Sequence, residues 1–460
     1  MTTRDIIATI LFILTIAKAA IIFGHSPMIG YANNFDFARS EACIGIWQHY
    51  SDQPKDQMHI SASVSMLMRD GDMRVDMCSK SIDNVIPWII GYMHPMGTVF
   101  GMQEIGLARV ALLAVLVGWL LLAAPSLRLP IGISFFLVFG DIAYLSYFNT
   151  LYNETSILIG AFMAIFAIVG LTFGERRCLP LAFIGLTLLG LAKMQYAPLA
   201  IILSAVAFFL LRDRRGAALF TTSLILFGVF CIASGPDVGL RHSTKIANNT
   251  DTYLGAVLPS ARDKLAAIRQ LGLPDDCLNA IGITFYSPGV ADNHPCPDVV
   301  RISRIKLLPL FAKQPTTLLE PITLFVERAT PMYLKYMGRY ENPIMSNSRI
   351  YNGALKTSAT SYLDKISPRD FRTIMLMVVA TSIAAAFLWR TPGGILIAIC
   401  GLVMLYTIGS GVFGDGYFEA PKHGTMLGVC LLIQAACIVE VITKAMRDAR
   451  NMQKASPTNY

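Results

Sequence analysis

The stretch Asn84-Val85-Ile86-Pro87-Trp88-Ile89-Ile90-Gly91-Tyr92-Met93-His94-Pro95-Met96-Gly97-Thr98-Val99-Phe100-Gly101-Met102 decides how this chain folds. It is almost as long and apolar as a membrane span, which takes about 20 residues. Counted as a span, it would move every later loop to the opposite side. Pro87 and the glycines up to Gly101 argue against a long straight helix. The stretch therefore reads as an interfacial or re-entrant helix. Ten other segments read as spans: 6–23, 103–124, 130–149, 155–173, 180–193, 197–211, 217–235, 371–389, 394–413 and 424–445.

Charge tests that arrangement. With the N-terminus inside, the inner connections carry Arg128, then Arg176 and Arg177, then Arg212, Arg214 and Arg215, then Arg390, and the tail carries Lys444, Arg447 and Arg450. The short outer turns are poorer in Lys and Arg, so the chain obeys the positive-inside rule, with both termini cytoplasmic. Ala17-Lys18-Ala19 has the form of a signal cleavage site, but the apolar run continues through Phe23. That is longer than a signal core, and the segment reads as a retained first span.

Composition agrees. Of 460 residues only 15% are charged and 54% are hydrophobic, against about a quarter charged in soluble domains. The mean hydropathy is +0.54. The net charge of +8 sits largely in short loops, where it sets topology and does not call for a nucleic acid. The expected fold is an all-α polytopic membrane protein, a single integral membrane domain over 1–460. Two long outer loops, 24–102 and 236–370, would carry interfacial helices. Cys231, Cys400, Cys430 and Cys437 fall inside spans and Cys178 in a basic loop, which leaves Cys43, Cys78, Cys277 and Cys296 in the outer loops. An oxidising outer face favours two disulfides there. Four cysteines allow three pairings, of which the expectation is Cys43–Cys78 with Cys277–Cys296. Closing a loop like the second contributes roughly 3 kcal/mol in the chain-entropy model.

The polar residues near span ends gather on the outer side. Asp36 follows the first span at the depth of a lipid headgroup, where a carboxylate can act as general base on an acceptor hydroxyl; capping the helix that starts at Phe37 is the alternative. Asp141 lies nominally within a span, where a carboxylate is costly and functional by default, unless it serves as a partner for a neighbouring Lys or Tyr. Glu154 opens the fourth span. Lys193, with Gln195 and Tyr196, stands at an outer span end and needs a partner, either a phosphate or one of these acids. The turn Gly414-Asp415-Gly416-Tyr417-Phe418-Glu419-Ala420-Pro421-Lys422-His423-Gly424 holds four ionisable side chains besides its tyrosine. Lys422 and His423 are placed there at the start of the last helix, where an anion would be favoured. The chain lacks a Gly-rich phosphate loop ending in Lys-Ser/Thr, His/Cys zinc spacing and Gly-x-Ser-x-Gly. No cofactor is expected. Asp36, Asp141, Glu154 and Asp415 are compatible with a divalent metal, but no spacing calls for one.

In these segments the chain resembles the bacterial GT-C-type membrane glycosyltransferases, closest to the hexosyltransferase-like members of surface-glycan assembly. The resemblance rests on Asn34-Phe35-Asp36, Tyr147-Phe148-Asn149-Thr150-Leu151-Tyr152-Asn153-Glu154 and Lys193-Met194-Gln195-Tyr196-Ala197-Pro198. It rests also on Tyr253-Leu254-Gly255-Ala256-Val257-Leu258 with Leu271-Gly272-Leu273-Pro274, and on Gly414-Asp415-Gly416 through Lys422-His423. It implies a polyprenyl-phosphate sugar donor, a glycan or lipid-linked acceptor, and inversion at the anomeric carbon on the outer face of the bacterial inner membrane. Asp36 matches the position of the catalytic base, with Glu154 and Asp141 as further candidate acids. Lys422, His423, Lys193 and Arg39 would hold the lipid phosphate. Asn149, Tyr152, Gln195, Asp415 and Glu419 would line the substrate site. Many relatives carry an acidic pair in the first loop, where this chain has Asp36 alone and Glu41 as its nearest second acid. Two other readings use the same features. A glycan polymerase or ligase would rely on Arg241, Arg262, Arg301 and Arg304. A lipid-linked-sugar flippase would place charge near mid-membrane.

Overall fold

The computed structural model describes residues 2–25, 28–33, 36–49, 63–235, 239–334, 349–387 and 390–438. Asn34, Phe35 and the tail residues Lys444, Arg447 and Arg450 lie outside the described residues. Five described helices are long and apolar enough to cross a membrane: Thr3–Phe23, Met102–Ala123, Glu154–Thr172, Arg214–Ser234 and Pro392–Asp415. A bent pair, Pro125–Phe139 with Ile142–Asn149, makes a sixth if it is one broken span. Helices also occupy the remaining apolar segments, at Leu179–Ala192, Ala197–Leu211, Pro368–Ala386 and Thr425–Ile438.

The Glu154–Thr172 helix is the hub. Almost every side chain on it is buried. The Leu179–Ala192 helix packs along it, and the two cross at a pair of glycines. A Cβ on Gly185 would stand 2.5 Å from the Ala164 nitrogen, and one on Gly160 would stand 2.6 Å from the Leu189 nitrogen. Backbones approach this closely only where side chains are absent. Gly185→Val is expected to destabilise the chain by about 1–3 kcal/mol through overpacking. Gly228→Val, where a Cβ meets nothing within 4 Å, is the matched control. Thermal unfolding of both purified variants checks this, and equal melting temperatures would contradict the close crossing.

The deciding stretch does not cross the bundle as one helix. Val85–Tyr92 is an eight-residue helix, and the chain then enters a strand at Val99–Gly101. Val85, Trp88, Ile89, Tyr92, Met93 and Met96 are exposed, as an interfacial element requires. The all-α expectation is corrected here. Ile46–Gln48 (β1), Met66–Arg69 (β2) and Val99–Gly101 (β3) form an antiparallel sheet in the order β1-β2-β3. Its register places Trp47 opposite Met68 and Leu67 opposite Phe100. Trp47 is fully buried and donates its indole N–H to the Asp72 carbonyl at 2.8 Å. A buried apolar side and backbone pairing across three short strands hold this first loop together.

The 130–149 segment is not one continuous helix. It bends by 67° at Gly140-Asp141. Asp141 has extended backbone and its carboxylate accepts from the Ala143 N–H, so it begins a new helical turn as an N-cap. In the second loop, Lys264–Leu271 and Leu307–Lys313 gather with Tyr253, Leu254 and Val257 into a small core of their own. The disulfide Cys277–Cys296, with Cα atoms 5.2 Å apart, sits in that core. Cys43 is bonded to Cys78 across 4.7 Å in the first loop.

Candidate functional site

Asp36 immediately precedes the Phe37–Ile44 helix but caps nothing with its side chain. Its carboxylate instead binds Lys422 Nζ and, at 3.2 Å, Arg39. The two halves of the pair stand 386 residues apart in the chain. Several contacts fix Asp36 in place. The Phe37 N–H donates to Asn33 Oδ1 at 3.2 Å, and Ser40 Oγ donates to the Leu151 carbonyl at 3.0 Å. Phe37 packs edge-on against Tyr152, with centroids 4.8 Å apart. Lys422 is brought in from the other end of the chain by a turn of helix, Ala420–His423, that follows Pro392–Asp415. Its ammonium lies 5.2 Å from the Tyr152 ring centroid and 3.3 Å from Glu419.

Burial alone would push the Asp36 carboxyl up. Arg39, Lys422 and Lys193 outweigh it and hold the group well below the ordinary carboxylate range. Lys193 pairs at 3.2 Å with Glu154, so Glu154 joins the same network. On the other flank, His423 Nε2 lies 3.3 Å from Asp415 and 3.6 Å from Glu419. Those three residues bring one ligand atom each within 4.8 Å of one another, an arrangement that can hold a metal ion. Asp251, in the Thr250–Val257 segment of the second loop, borders the same acids. Burial, then Asp415, push its carboxyl up to about 7.

The structure thus brings together Asp36, Arg39, Glu154, Lys193, Asp415, Glu419, Lys422 and His423. Other candidates fall elsewhere. Asp141 is occupied by the N–H and hydroxyl of Thr360, at 2.8 and 2.6 Å, besides Ala143; it ties two segments together and does not meet Asp36. Asn149 is buried and donates to the Ile29 carbonyl at 2.7 Å, and its oxygen occupies the space a Cβ on Gly106 would need. Tyr152 is buried and donates to the Ala32 carbonyl at 2.9 Å, so it supports the site from below. The Gln195 backbone carbonyl accepts from the Tyr406 hydroxyl. Glu41 is buried and accepts the Gln48 N–H at 2.8 Å, away from Asp36. The helix-dipole argument for Lys422 and His423 is also corrected. They end a four-residue helix, which stops at Gly424 before the last apolar helix begins.

Two residues escaped the sequence reading. Arg109 lies in the apolar Met102–Ala123 helix, fully buried, donating to the Phe148 and Thr150 carbonyls at 3.0 and 2.6 Å and lying 3.6 Å from Asp83. A charge in so apolar a run demands a partner, and that was the signal for it. Asp251 stands just outside the Tyr253–Leu258 motif and was not singled out with it.

Several long apolar helices joined by polar loops, with buried ion pairs gathered between them, define a polytopic helical membrane protein. The chain belongs to the family described as the YfdI N-terminal transmembrane domain, whose model matches residues 2–457. No curated protein and no solved structure matches it.

Proposed function

We propose that the chain is an inverting GT-C-type glycosyltransferase that moves a sugar from a polyprenyl-phosphate donor to a glycan or lipid-linked acceptor. In this reading it crosses the bacterial inner membrane about ten times, with both termini cytoplasmic and the site on the outer face. The observation that carries the reading is the Asp36–Lys422 pair, flanked by Arg39 and Lys193. An ionised carboxylate and three cations at one place suit a reaction that takes a proton from one oxygen and leaves a phosphate on another.

The chemistry runs as follows. Asp36 takes the proton of the acceptor hydroxyl. The acceptor oxygen attacks the anomeric carbon from the face opposite the phosphate. The bond from that carbon to the phosphate oxygen breaks, and its electron pair leaves with the polyprenyl phosphate. Lys422, Lys193 and Arg39 meet the growing negative charge. Arg39 Nε is buried with no hydrogen-bond partner, so it has a donor to give to an arriving phosphate. A carboxylate held as low as Asp36 is a weak base. When Lys422 turns from Asp36 toward a phosphate, the carboxylate loses a cation and becomes a stronger base at the moment it is needed.

Two of the four arginines a polymerase would use, Arg301 and Arg304, are placed differently. The Arg301 side chain is 88% exposed, and Arg304 donates to the Asn248 and Gly414 carbonyls while lying over the Tyr253 ring. Sidedness is tested with Asp213→Cys and Val300→Cys, probed by a membrane-impermeant thiol reagent on intact cells. Val300→Cys is expected to label and Asp213→Cys to label only after permeabilisation. Labelling of both from outside would overturn the outer-face assignment.

A further inference from the structure

We infer that Asp415, Glu419 and His423, backed by Asp251, form a binding site for one divalent cation of the Mn2+ or Zn2+ class. Two ligand atoms each about 2.1 Å from a tetrahedral ion lie about 3.4 Å apart. The observed separations from His423 Nε2 are 3.3 Å to Asp415 and 3.6 Å to Glu419. All three ligand atoms lie within 4.8 Å of one another. One imidazole with carboxylates is a donor set that Mn2+ and Zn2+ share.

Asp251 supplies the independent observation. It is fully buried. One of its oxygens accepts the Phe285 N–H at 2.7 Å, and the other, Oδ2, is buried with no hydrogen-bond partner. Among the charges that act on this carboxyl, Asp415 comes first and Glu419 second. The backbone brings it there: a Cβ on Gly416 would stand 2.9 Å from the Asp251 carbonyl, and Gly416 has a φ of +67°, a conformation that suits glycine. A buried carboxylate oxygen without a donor is costly, and the negative charges of Asp415 and Glu419 act on it unfavourably. A divalent cation removes both penalties. The neighbouring cations do so only in part. Lys422 is shared between Glu419 and Asp36, and Arg304, which also acts on Asp415, makes its hydrogen bonds through Nη2 to the Asn248 and Gly414 carbonyls.

Such an ion would offer a phosphate a second positive centre beside Lys422, and this role rests on the glycosyl-transfer reading; the binding itself does not. The test is Mn2+ titration of the purified full chain in detergent, followed by the loss of the free Mn2+ electron paramagnetic resonance signal. One Mn2+ per chain is expected, displaced by Zn2+. Asp415→Asn and His423→Gln should each weaken binding at least tenfold, Asp251→Asn should weaken it severalfold, and Asp36→Asn should bind as the wild type does. Zn2+ should also raise the melting temperature of the wild type and leave those of Asp415→Asn and His423→Gln unchanged, which separates a lost site from a lost fold. Absence of binding by the wild type, or binding undiminished in both Asp415→Asn and His423→Gln, would overturn the site. Sugar transfer measured on the same preparations is read separately: ion binding without transfer sinks the reaction and keeps the site, and transfer without ion binding does the reverse.

Discussion

Asp36→Asn is expected to lower the turnover of sugar transfer by about a thousandfold, within the range that a general base contributes, while donor affinity changes little. The fold should survive. Asparagine keeps the shape, and the Lys422 ammonium keeps Glu419 at 3.3 Å, so the buried cation is not left alone. A structural role would predict the opposite pattern. Asp36 makes no side-chain cap to the Phe37–Ile44 helix, so there is no cap for asparagine to replace. Asp36→Glu should recover part of the rate, because it restores a carboxylate at shifted reach. Steady-state kinetics on both variants, with melting curves alongside, checks the split. A rate defect matched by a lowered melting temperature in both variants would reduce Asp36 to a packing residue.

Lys422→Met should act differently. The donor KM should rise roughly 10- to 100-fold, as expected for losing a charged hydrogen bond to phosphate, and turnover should fall as well. The variant should also lose stability. Breaking a buried pair costs about 3–5 kcal/mol, and the low end applies because Asp36 retains Arg39 at 3.2 Å. The pH profile carries the sign. Activity needs ionised Asp36, so it persists above the folded pKa and fails as pH falls through it. Burial raises that pKa, and Arg39, Lys422 and Lys193 more than offset it. Without Lys422 the offset shrinks, so the acid limb of kcat/KM should move to higher pH. Stability follows the same sign. The contribution of a depressed carboxyl is present above its unfolded value, about 3.9, and disappears as pH falls through the folded one. The melting-temperature gap between wild type and Lys422→Met should therefore close in acid. An unmoved acid limb would mean that Lys422 does not tune Asp36.

The elements that could be read from sequence are those whose physics is local or one-sided. Apolar runs marked the helices, and the proline and glycines of the 84–102 stretch stopped it from being one long helix. The charges of 414–424 were conspicuous because carboxylates and cations in an apolar chain need partners, and Asp36 was conspicuous for the same reason. Their positions in the chain do not show that they meet; the Asp36–Lys422 pair joins residues from its two ends. What stayed hidden depends on distant partners. β1 and β3 are three residues each, too short for alternation to register. Arg109 was drowned by its apolar neighbours, and its partner Asp83 precedes a different helix. Asn149 and Tyr152 looked like site residues because they are polar and clustered, yet they spend their donors on the backbone of the first loop. Asp141 could have been recognised as a cap from the Gly140 before it and the apolar turn after it.

The most direct test reconstitutes the purified chain in liposomes with a radiolabelled polyprenyl-phosphate hexose and a glycan or lipid-linked glycan acceptor, and follows label moving from donor lipid to glycan in wild type and Asp36→Asn side by side. The account predicts label on the glycan and equimolar polyprenyl phosphate with the wild type, and no detectable label on the glycan with a folded, donor-binding Asp36→Asn. Equal transfer by the two proteins would contradict it.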